Sequence, residues 1–598
     1  SAGEIPPLVL APLAPLAPLT PAAPAGAGAE EVPAAVEDAL HTVLRLMQDW
    51  LAQPRFAASR LVLVTRDACA DGQVTHPDPA AAAVWGFVRA AQTENPGRFT
   101  LLDTDHHPAS QAVLAAAAAT GETQLKIRAG TVSTPALRPA PAPATAGLGG
   151  ALGTGSVLIT GGTSGLGALL ARHLVARHGV RSLVLSSRRG AAAPAAAALR
   201  EELTAAGAHV EIVACDVTRR AQVADLLAAV PAAHPLTAVV HCAGVLDDGV
   251  VAALTPDRVD TVLAPKVHGA WHLHELTRPL KLSAFVLFSS VASVLGTAGQ
   301  ANYAAANAFL NHLAETRRAE QLPARALCFG FWAERSEMSA ALSDADVVRM
   351  QRQGVQPLTS QEGLALFDAA LRAPESTPVL VPVRLHPAAL TPQPGEMVSP
   401  LLRTLAPPPA PDGGQAGGQP ATASLAERLP SLPAQEAQAL LLDAVRAQTA
   451  LVLGHPDTDR VTPAEAFKKL GIDSLTALEL RNKLAAVTGL KLPATLVFDH
   501  PNPAALAQFL AAGLTPDPGT PAAAGATALV REIEELGARL KDALPALAAQ
   551  ERTALATLLG DLHTGVRPTA SAAESGLADQ ISSASAGELL ALLDQELG

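Results

Sequence analysis

The chain holds one tyrosine in 598 residues, and it stands in Tyr303-Ala304-Ala305-Ala306-Asn307, a short way downstream of Ser290. A phenol with an ordinary pKa near ~10 can supply a proton at neutral pH when a nearby cation stabilises the phenolate. Lys266 is the candidate cation. Tyr303 and Asn307 are i and i+4, so they share one helix face that a lysine from an adjacent helix can meet. Ser290 is the candidate hydroxyl, with Ser289 as its rival. The competing reading is a lone aromatic packed in a core helix; the small neighbours Ala304, Ala305 and Ala306 offer little packing and favour the chemical one.

Such a set needs a scaffold that also binds the other reactant. Strand Val157-Leu158-Ile159 runs into Thr160-Gly161-Gly162-Thr163-Ser164-Gly165-Leu166-Gly167 and then a helix from Ala168 to His178. Glycines permit a tight turn that aims backbone N–H groups and a helix N-terminus at a pyrophosphate, with Gly161, Thr163, Ser164, Gly165, Leu166 and Gly167 as the contacts. The placement between strand and helix turns a weak motif into a strong one. The next strand ends Ser187-Arg188, where an acid would select the 2′-hydroxyl of NAD; a guanidinium instead suits a 2′-phosphate, which points to NADPH. Asp216 with Val217 is placed at the adenine and Ala243-Gly244 along the cofactor, although all four also read as ordinary loop residues.

Strands expected at 156–160, 182–187, 209–214, 237–241, 284–289 and 325–330, with helices between them, make this an α/β unit. An earlier stretch repeats the layout without a glycine turn: helices over Val36 to Leu51 and Ala80 to Thr93, strands over Leu61 to Thr65 and Phe99 to Asp103. It reads as a structural half that binds no nucleotide. Pro-, Ala- and Gly-rich segments bury too little apolar surface to offset chain entropy, so residues 1–30, 136–153, 396–433 and 514–527 read as linkers.

A net charge of −12 disfavours a nucleic-acid partner, which needs concentrated Lys and Arg. Neither an apolar run long enough for a bilayer nor a signal peptide is found, and the start at Ser1 hints at a piece of something longer. Cys69, Cys215, Cys242 and Cys328 show no paired spacing and read as reduced thiols of a cytoplasmic protein. The histidines do not fall near carboxylates at metal-ligand spacing, so no metal is expected.

Together the glycine turn, Ser290, Tyr303 and Lys266 resemble the short-chain dehydrogenase/reductase superfamily, and more closely the ketoreductase of modular (type I) polyketide synthases. The wider superfamily carries Tyr-x-x-x-Lys; here Asn307 takes the lysine position and the lysine lies in Ala264-Pro265-Lys266-Val267, an exchange typical of the polyketide ketoreductases. The resemblance implies an α/β, double Rossmann-like fold, with a structural subdomain over 31–153 and an NADPH-binding catalytic subdomain over 154–395. It implies hydride transfer to the ketone of a β-ketoacyl thioester. Tyr303 would protonate the alkoxide, Ser290 would hydrogen-bond it, Lys266 would lower the Tyr303 pKa and hold the nicotinamide ribose, and Asn307 would orient Lys266 or a relay water. By the same resemblance, Leu246-Asp247-Asp248 marks reductases that give the D-configured hydroxyl, and Leu295 replaces the tryptophan of the opposite class. Asn302 agrees, whereas Ala298 stands where a proline is common. Ala305 implies an α-substituent that keeps its configuration. Trp332 and Met338 either line the substrate pocket or pack in the core.

Residues 434–513 contain Phe467-Lys468-Lys469-Leu470-Gly471-Ile472-Asp473-Ser474-Leu475 and Glu479-Leu480-Arg481-Asn482-Lys483-Leu484, which resemble a four-helix acyl carrier protein. Ser474 would bear phosphopantetheine, attached by a phosphopantetheinyl transferase; a plain helix cap is the other reading of that serine. Residues 528–598 resemble a C-terminal docking domain, with amphipathic helices at 528–544 and 547–562 that would form a homodimer and a last helix, 585–597, that would bind the next synthase polypeptide. The implied partners upstream are a ketosynthase and an acyltransferase of the same module. Processing would stop at the β-hydroxyl and, with no thioesterase following, the product would pass on. Two rivals stand beside this reading: a catalytically silent reductase fold that only presents a carrier, and a fatty-acid-type reductase with a fused carrier.

Overall fold

The computed structural model describes residues 6–13, 31–69, 78–105, 107–141, 152–334, 354–386, 400–405, 434–455, 457–490 and 495–514, with isolated positions between them. The chain divides into Ser1–Leu514 and Thr515–Gly598, and every described residue lies in the first unit. Met338 and the expected helices at 528–544, 547–562 and 585–597 lie outside the described residues.

The first half of the molecule runs β1 (Leu8–Pro12), α1 (Glu31–Ala52), β2 (Arg60–Arg66), α2 (Pro79–Glu94), β3 (Phe99–Thr104), α3 (Pro108–Ala118), β4 (Gln124–Arg128) and β5 (Thr131–Ser133). Its sheet is ordered β1-β2-β3-β4-β5, parallel except for the final hairpin. The expected helices and strands of this half appear within a few residues of the pattern. Residues 8–12 correct the reading of 1–30 as a linker throughout: Leu8 pairs with Arg60 and Pro12 with Val64. The Pro-Leu repeat hid this strand, because proline is tolerated on a sheet edge and β1 is an edge. α1 buries Val36, Leu40, Leu44 and Met47, an i, i+4, i+8, i+11 stripe that packs on the same core as Leu61 and Leu63 of β2.

The second half continues with β6 (Ser156–Thr160), α4 (Gly165–His178), β7 (Ser182–Ser187), α5 (Ala196–Ala205), β8 (His209–Ala214), α6 (Arg220–Ala228), β9 (Leu236–His241), α7 (Pro256–Leu263), α8 (Gly269–Thr277), β10 (Ala284–Ser290), α9 (Ala292–Leu295), α10 (Ala301–Ala319) and β11 (Arg325–Phe329). Then come β12 (Val355–Gln356), α11 (Ser360–Leu371), β13 (Val379–Leu380) and β14 (Arg384–Leu385). The seven-stranded sheet is ordered β13-β11-β10-β9-β6-β7-β8 with every pair parallel. The strand order reverses between β6 and β9, and in a doubly wound sheet the ligand crevice opens outside the strand C-termini at that point. β12 and β14 pair apart from the sheet.

The two halves meet along α2 and α10. A Cβ built on Gly86 would stand 2.4 Å from the Ala304 carbonyl oxygen and 2.6 Å from Ala308 Cβ, so only small residues let these helices approach. This corrects the reading of Ala304, Ala305 and Ala306 as poor packers: all three are buried, and their smallness is what the seam requires. The expected linker 396–433 is likewise not wholly free of contacts, for Leu401 and Leu402 are buried and the Leu401 carbonyl accepts the Leu137 N–H at 2.9 Å.

The remaining described helices are α12 (Ala434–Leu453), α13 (Ser474–Thr488), α14 (Leu496–Asp499) and α15 (Pro503–Leu514). They enclose their own core of Leu441, Val445, Phe467, Leu480, Leu484, Leu496, Leu506 and Leu510.

Candidate active site and carrier serine

α7 and α8 form one rod interrupted at Ala264–His268, where the Gly269 N–H reaches back five residues to the Ala264 carbonyl. Pro265 has no N–H and its ring crowds the preceding turn, so the helix widens there. The wide turn carries Lys266 to a buried position where Nζ donates to the Phe288 carbonyl at 2.9 Å. It also leaves the Pro265 carbonyl to accept from His241 Nε2 at 3.0 Å. His241 Nδ1 meets Thr160 Oγ1 at 2.8 Å. Burial and then the neighbouring Lys266 push the His241 pKa down to about 3. The ring is therefore neutral, donating through Nε2 and accepting the Thr160 hydroxyl at Nδ1. The sequence reading missed His241; a histidine directly after the apolar strand Ala238-Val239-Val240 was the available signal.

Ser290 ends β10, and Tyr303 lies in the first turn of α10, partly open to the crevice. Strand alternation separates the two serines. Ser289 Oγ turns into the interior to the Asn307 carbonyl at 3.2 Å, whereas the Ser290 hydroxyl is a partner of the Tyr303 phenol. Burial drives the Tyr303 pKa up to about 12, against the pull of Asn307 and Ser290 and with a further push from Asp248. Lys266 Nζ stands over the ring, 5.5 Å from its centroid. The expected lowering of the phenol pKa by Lys266 is thus absent from this arrangement, and Tyr303 is held in the protonated form that a proton donor requires. Burial lowers Lys266 itself to about 8. Asn307 Nδ2 donates to the Tyr303 carbonyl at 2.8 Å, and its buried Oδ1 has no partner among the described residues. That orphaned acceptor faces a requirement for a donor.

At the glycine turn, Gly161 sits at φ +65° and a Cβ on Gly167 would lie 2.2 Å from the Gly161 carbonyl oxygen, so glycine is needed at both. Ser164 caps α4 without using its side chain, which leaves first-turn N–H groups for an anion. Thr163 is buried behind the turn, while Gly165 and Leu166 open the helix. Arg188 is exposed at the end of β7, and Ser187 Oγ beside it accepts the Gly190 N–H at 3.1 Å. Ala243, followed by Gly244, donates its N–H to Thr160 Oγ1 at 3.4 Å, closing the floor between β6 and β9. These features fit a dinucleotide whose pyrophosphate rests on α4 and whose 2′-phosphate meets Arg188. Asp216 is engaged in its own turn, accepting the Thr218 N–H at 3.1 Å and hydroxyl at 2.8 Å, and Val217 packs beside Gly269.

The loop carrying Leu246, Asp247 and Asp248 is tied to the start of α10. Asn302 Nδ2 donates to the Asp247 carbonyl at 2.8 Å, Gln300 Nε2 to Asp248 Oδ2 at 2.7 Å, and Arg258 Nε to Asp247 Oδ1 at 2.8 Å. Leu246 and Leu295 are half-buried. Trp332 lies against Gly363 of α11 and Phe329 of β11, which places it in packing. Away from the crevice, Asp368 Oδ1 receives His173 and His178 Nε2, each at 2.8 Å. This histidine–carboxylate cluster corrects the expectation that none would form: Asp368 is too far along the sequence for spacing to reveal it. Two ring N–H donors on one carboxylate oxygen satisfy the group as a tie between α4 and α11. All four cysteines are free, and burial pushes Cys69 and Cys242 up to about 12.

Ser474 is the first residue of α13, but Asp473 is the cap: its Oδ1 accepts the Leu475 N–H at 3.0 Å, the Thr476 N–H at 2.8 Å and the Thr476 hydroxyl at 2.7 Å. The helix has no use for the Ser474 hydroxyl, which is exposed. The capping reading of that serine is thereby removed.

Three family models match the chain: "KR domain" over residues 155–334, "Polyketide synthase extender module SpnB, Rossmann fold domain" over 2–137, and "Phosphopantetheine attachment site" over 443–510. The chain is 48% identical over 521 residues to the spectinabilin polyketide synthase system protein NorA′ of Streptomyces orinoci, covering 86% of this chain and 14% of that protein. It is 45% identical over 582 residues to the polyketide synthase GfsA of Streptomyces halstedii, covering 96% of this chain and 8% of that one. The chain thus spans a small fraction of the length of these relatives. Among solved structures, A-type ketoreductases from a modular polyketide synthase match with TM-score 0.52 and 37% identity over 61% of this chain and 76% of theirs. An A1-type ketoreductase matches with TM-score 0.51 and 33% identity over 67% of this chain and 94% of its own.

Proposed function

We infer that this chain, which belongs to the modular polyketide synthases and carries a ketoreductase and a phosphopantetheine carrier of that family, reduces the β-keto group of an acyl chain tethered to Ser474. NADPH supplies the hydride to the ketone carbon when bound. Tyr303 donates its phenolic proton to the oxygen as negative charge develops there, and Ser290 steadies the same oxygen by a hydrogen bond. A phenol kept near pKa 12 by burial is fully protonated at neutral pH, so no prior ionisation is needed. Lys266, charged below about pH 8, faces the aromatic ring and can move from the Phe288 carbonyl toward the phenol and the ribose as the cleft fills. Asn307 Oδ1 is the unused acceptor that orients Lys266 or a relay water during reprotonation.

The observation that carries this reading is the convergence of Ser290, Asn307 and Tyr303 at the crevice beside the glycine turn, in a chain that also exposes Ser474. The tie from Asn302 to the Leu246-Asp247-Asp248 loop supports a D-configured product, as does Leu295 in place of the tryptophan of the opposite class. We assign residues 528–598 to dimerisation and docking of the next polypeptide, and the upstream ketosynthase and acyltransferase to the same module. Incubating the loaded chain with NADPH and resolving the product hydroxyl against D and L standards tests both activity and hand; an L product overturns the stereochemical assignment.

A further inference from the structure

The far end of α2 is where the carrier touches the reductase. A helix leaves its last carbonyls without partners, and they carry the negative end of the helix dipole. The Glu94 carbonyl, in the last residue of α2, receives two donors from α13: Arg481 Nη2 and Asn482 Nδ2, each at 3.0 Å. Arg481 Nη2 also holds Asn482 Oδ1 at 2.6 Å, which fixes both side chains in one geometry. A second contact joins different elements. A Cβ built on Gly299 would stand 3.3 Å from Leu475 Cδ2, so the bare glycine backbone is the seat for the residue that follows Ser474. Gly299 sits at φ +82°, a conformation that itself favours glycine.

The same stretch of reductase forms the rim of the crevice. The Glu94 carboxylate accepts the Gly299 N–H at 2.9 Å through one oxygen and the Val251 N–H at 2.8 Å through the other. Gly249 donates to the Gly299 carbonyl at 2.7 Å, and Gln300, next in sequence, holds Asp248. Glu94 therefore grips the loops that carry Asp247, Asp248 and the start of α10 with its side chain, while its carbonyl meets the carrier. The sequence reading gave Glu94, Gly299 and Arg481 no such role.

We propose that the C-terminal end of α2 and the turn at Gly299 are the docking surface for this chain's own carrier during reduction, with Leu475, Arg481 and Asn482 as the carrier's contacts. The proposal rests on the reductase reading and names the surface through which it is served. Docking here puts Ser474, one residue before Leu475, at the rim held by Glu94, so the tethered acyl chain enters beside Gln300 and Asp248 toward Tyr303. The proton-transfer set is untouched by the contact, which sets delivery apart from chemistry.

The test uses the full chain with Arg481→Ala and Asn482→Ala combined, its Ser474 loaded with a β-ketoacyl phosphopantetheine and the loading verified by intact mass. Single-turnover reduction of the tethered chain is compared with steady-state reduction of a free β-ketoacyl N-acetylcysteamine thioester. Docking predicts a tethered rate lower by about tenfold, the loss of a charged hydrogen bond being softened by the covalent tether, with the free-thioester rate kept within about twofold. Unchanged rates on both substrates overturn the proposal. An equal fall on both also overturns it, since the contact would then brace the reductase. Where the double variant fails to load, Asn482→Ala alone gives the same comparison at smaller amplitude. Failure of the unaltered chain to reduce either substrate would contradict the reductase reading itself, a different result from any of these.

Discussion

Both halves of the reductase run parallel strands through a helix-flanked sheet, yet the C-terminal ends of their strands are finished in opposite ways. In the first half the buried Asp103 at the end of β3 accepts the Thr65 hydroxyl at 2.8 Å and the Ala68 N–H at 2.9 Å, and pairs with Arg128. The strand ends are sealed by a buried polar network in which both oxygens of Asp103 are engaged, Oδ2 also accepting the Cys69 N–H at 3.2 Å. In the second half Thr160 and His241 close only the floor, and the glycine turn leaves N–H groups and Asn307 Oδ1 for something else to meet. One layer plan thus yields a brace and a reaction site, depending on whether the strand-end groups satisfy each other or wait for a ligand. The brace still matters to chemistry, because α2 sets the position of α10 through Gly86 and of the crevice rim through Glu94.

Substitutions can sharpen that division. The largest effect is expected from Tyr303→Phe, which should lower reduction by about 10³-fold or more while cofactor binding, read by NADPH fluorescence, stays near that of the unaltered chain. Near-normal turnover would end its role as donor. Asp103→Ala should act on the other half, costing about 3–5 kcal/mol of stability by leaving Arg128 without its buried partner. Denaturant titration measures this, and turnover per folded molecule should hold. Gly86→Val forces atoms into the seam between the halves and should cost about 1–3 kcal/mol, together with some activity as α10 shifts. A loss of stability with full activity would show that α2 does not position α10.

Lys266 gives a pH test. Its folded pKa of about 8 lies below the ordinary value of 10.5, so the charge on Nζ is present below about pH 8 and lost above it. kcat/KM of the free enzyme should fall along an alkaline limb near pH 8. For stability the sign is opposite: the unfolded chain keeps the proton up to pH 10.5, so the contribution of Lys266 rises between pH 8 and 10.5 and is lost as pH falls through 8. Lys266→Met should remove the limb, lower turnover, and make the chain more stable at pH 7. The smallest effect is that of Asp473→Ala, about 1 kcal/mol on the carrier from the lost cap, whereas Ser474→Ala should leave carrier stability unchanged and abolish loading.

Much of the second half was legible because its strands are apolar runs that end in a glycine turn, a cue carried within a few adjacent residues. That Tyr303 and Asn307 share one helix was legible from their i, i+4 spacing. What escaped depended on distant partners. β1 is visible only as an edge paired to β2, and the alanines of α10 make sense only against Gly86. His241 acquires its role from Pro265 and Thr160, and Asp368 meets His173 only across the fold. The rise of the Tyr303 pKa to about 12 comes from burial, which no motif encodes.

The most direct measurement is intact-protein mass spectrometry on the full chain after Ser474 is loaded with a β-ketoacyl phosphopantetheine, with and without NADPH. A gain of two hydrogens that requires NADPH and disappears in Tyr303→Phe is the expected result. A chain that loads but never gains them would contradict reduction at this site and leave a fold that presents a carrier without acting on it.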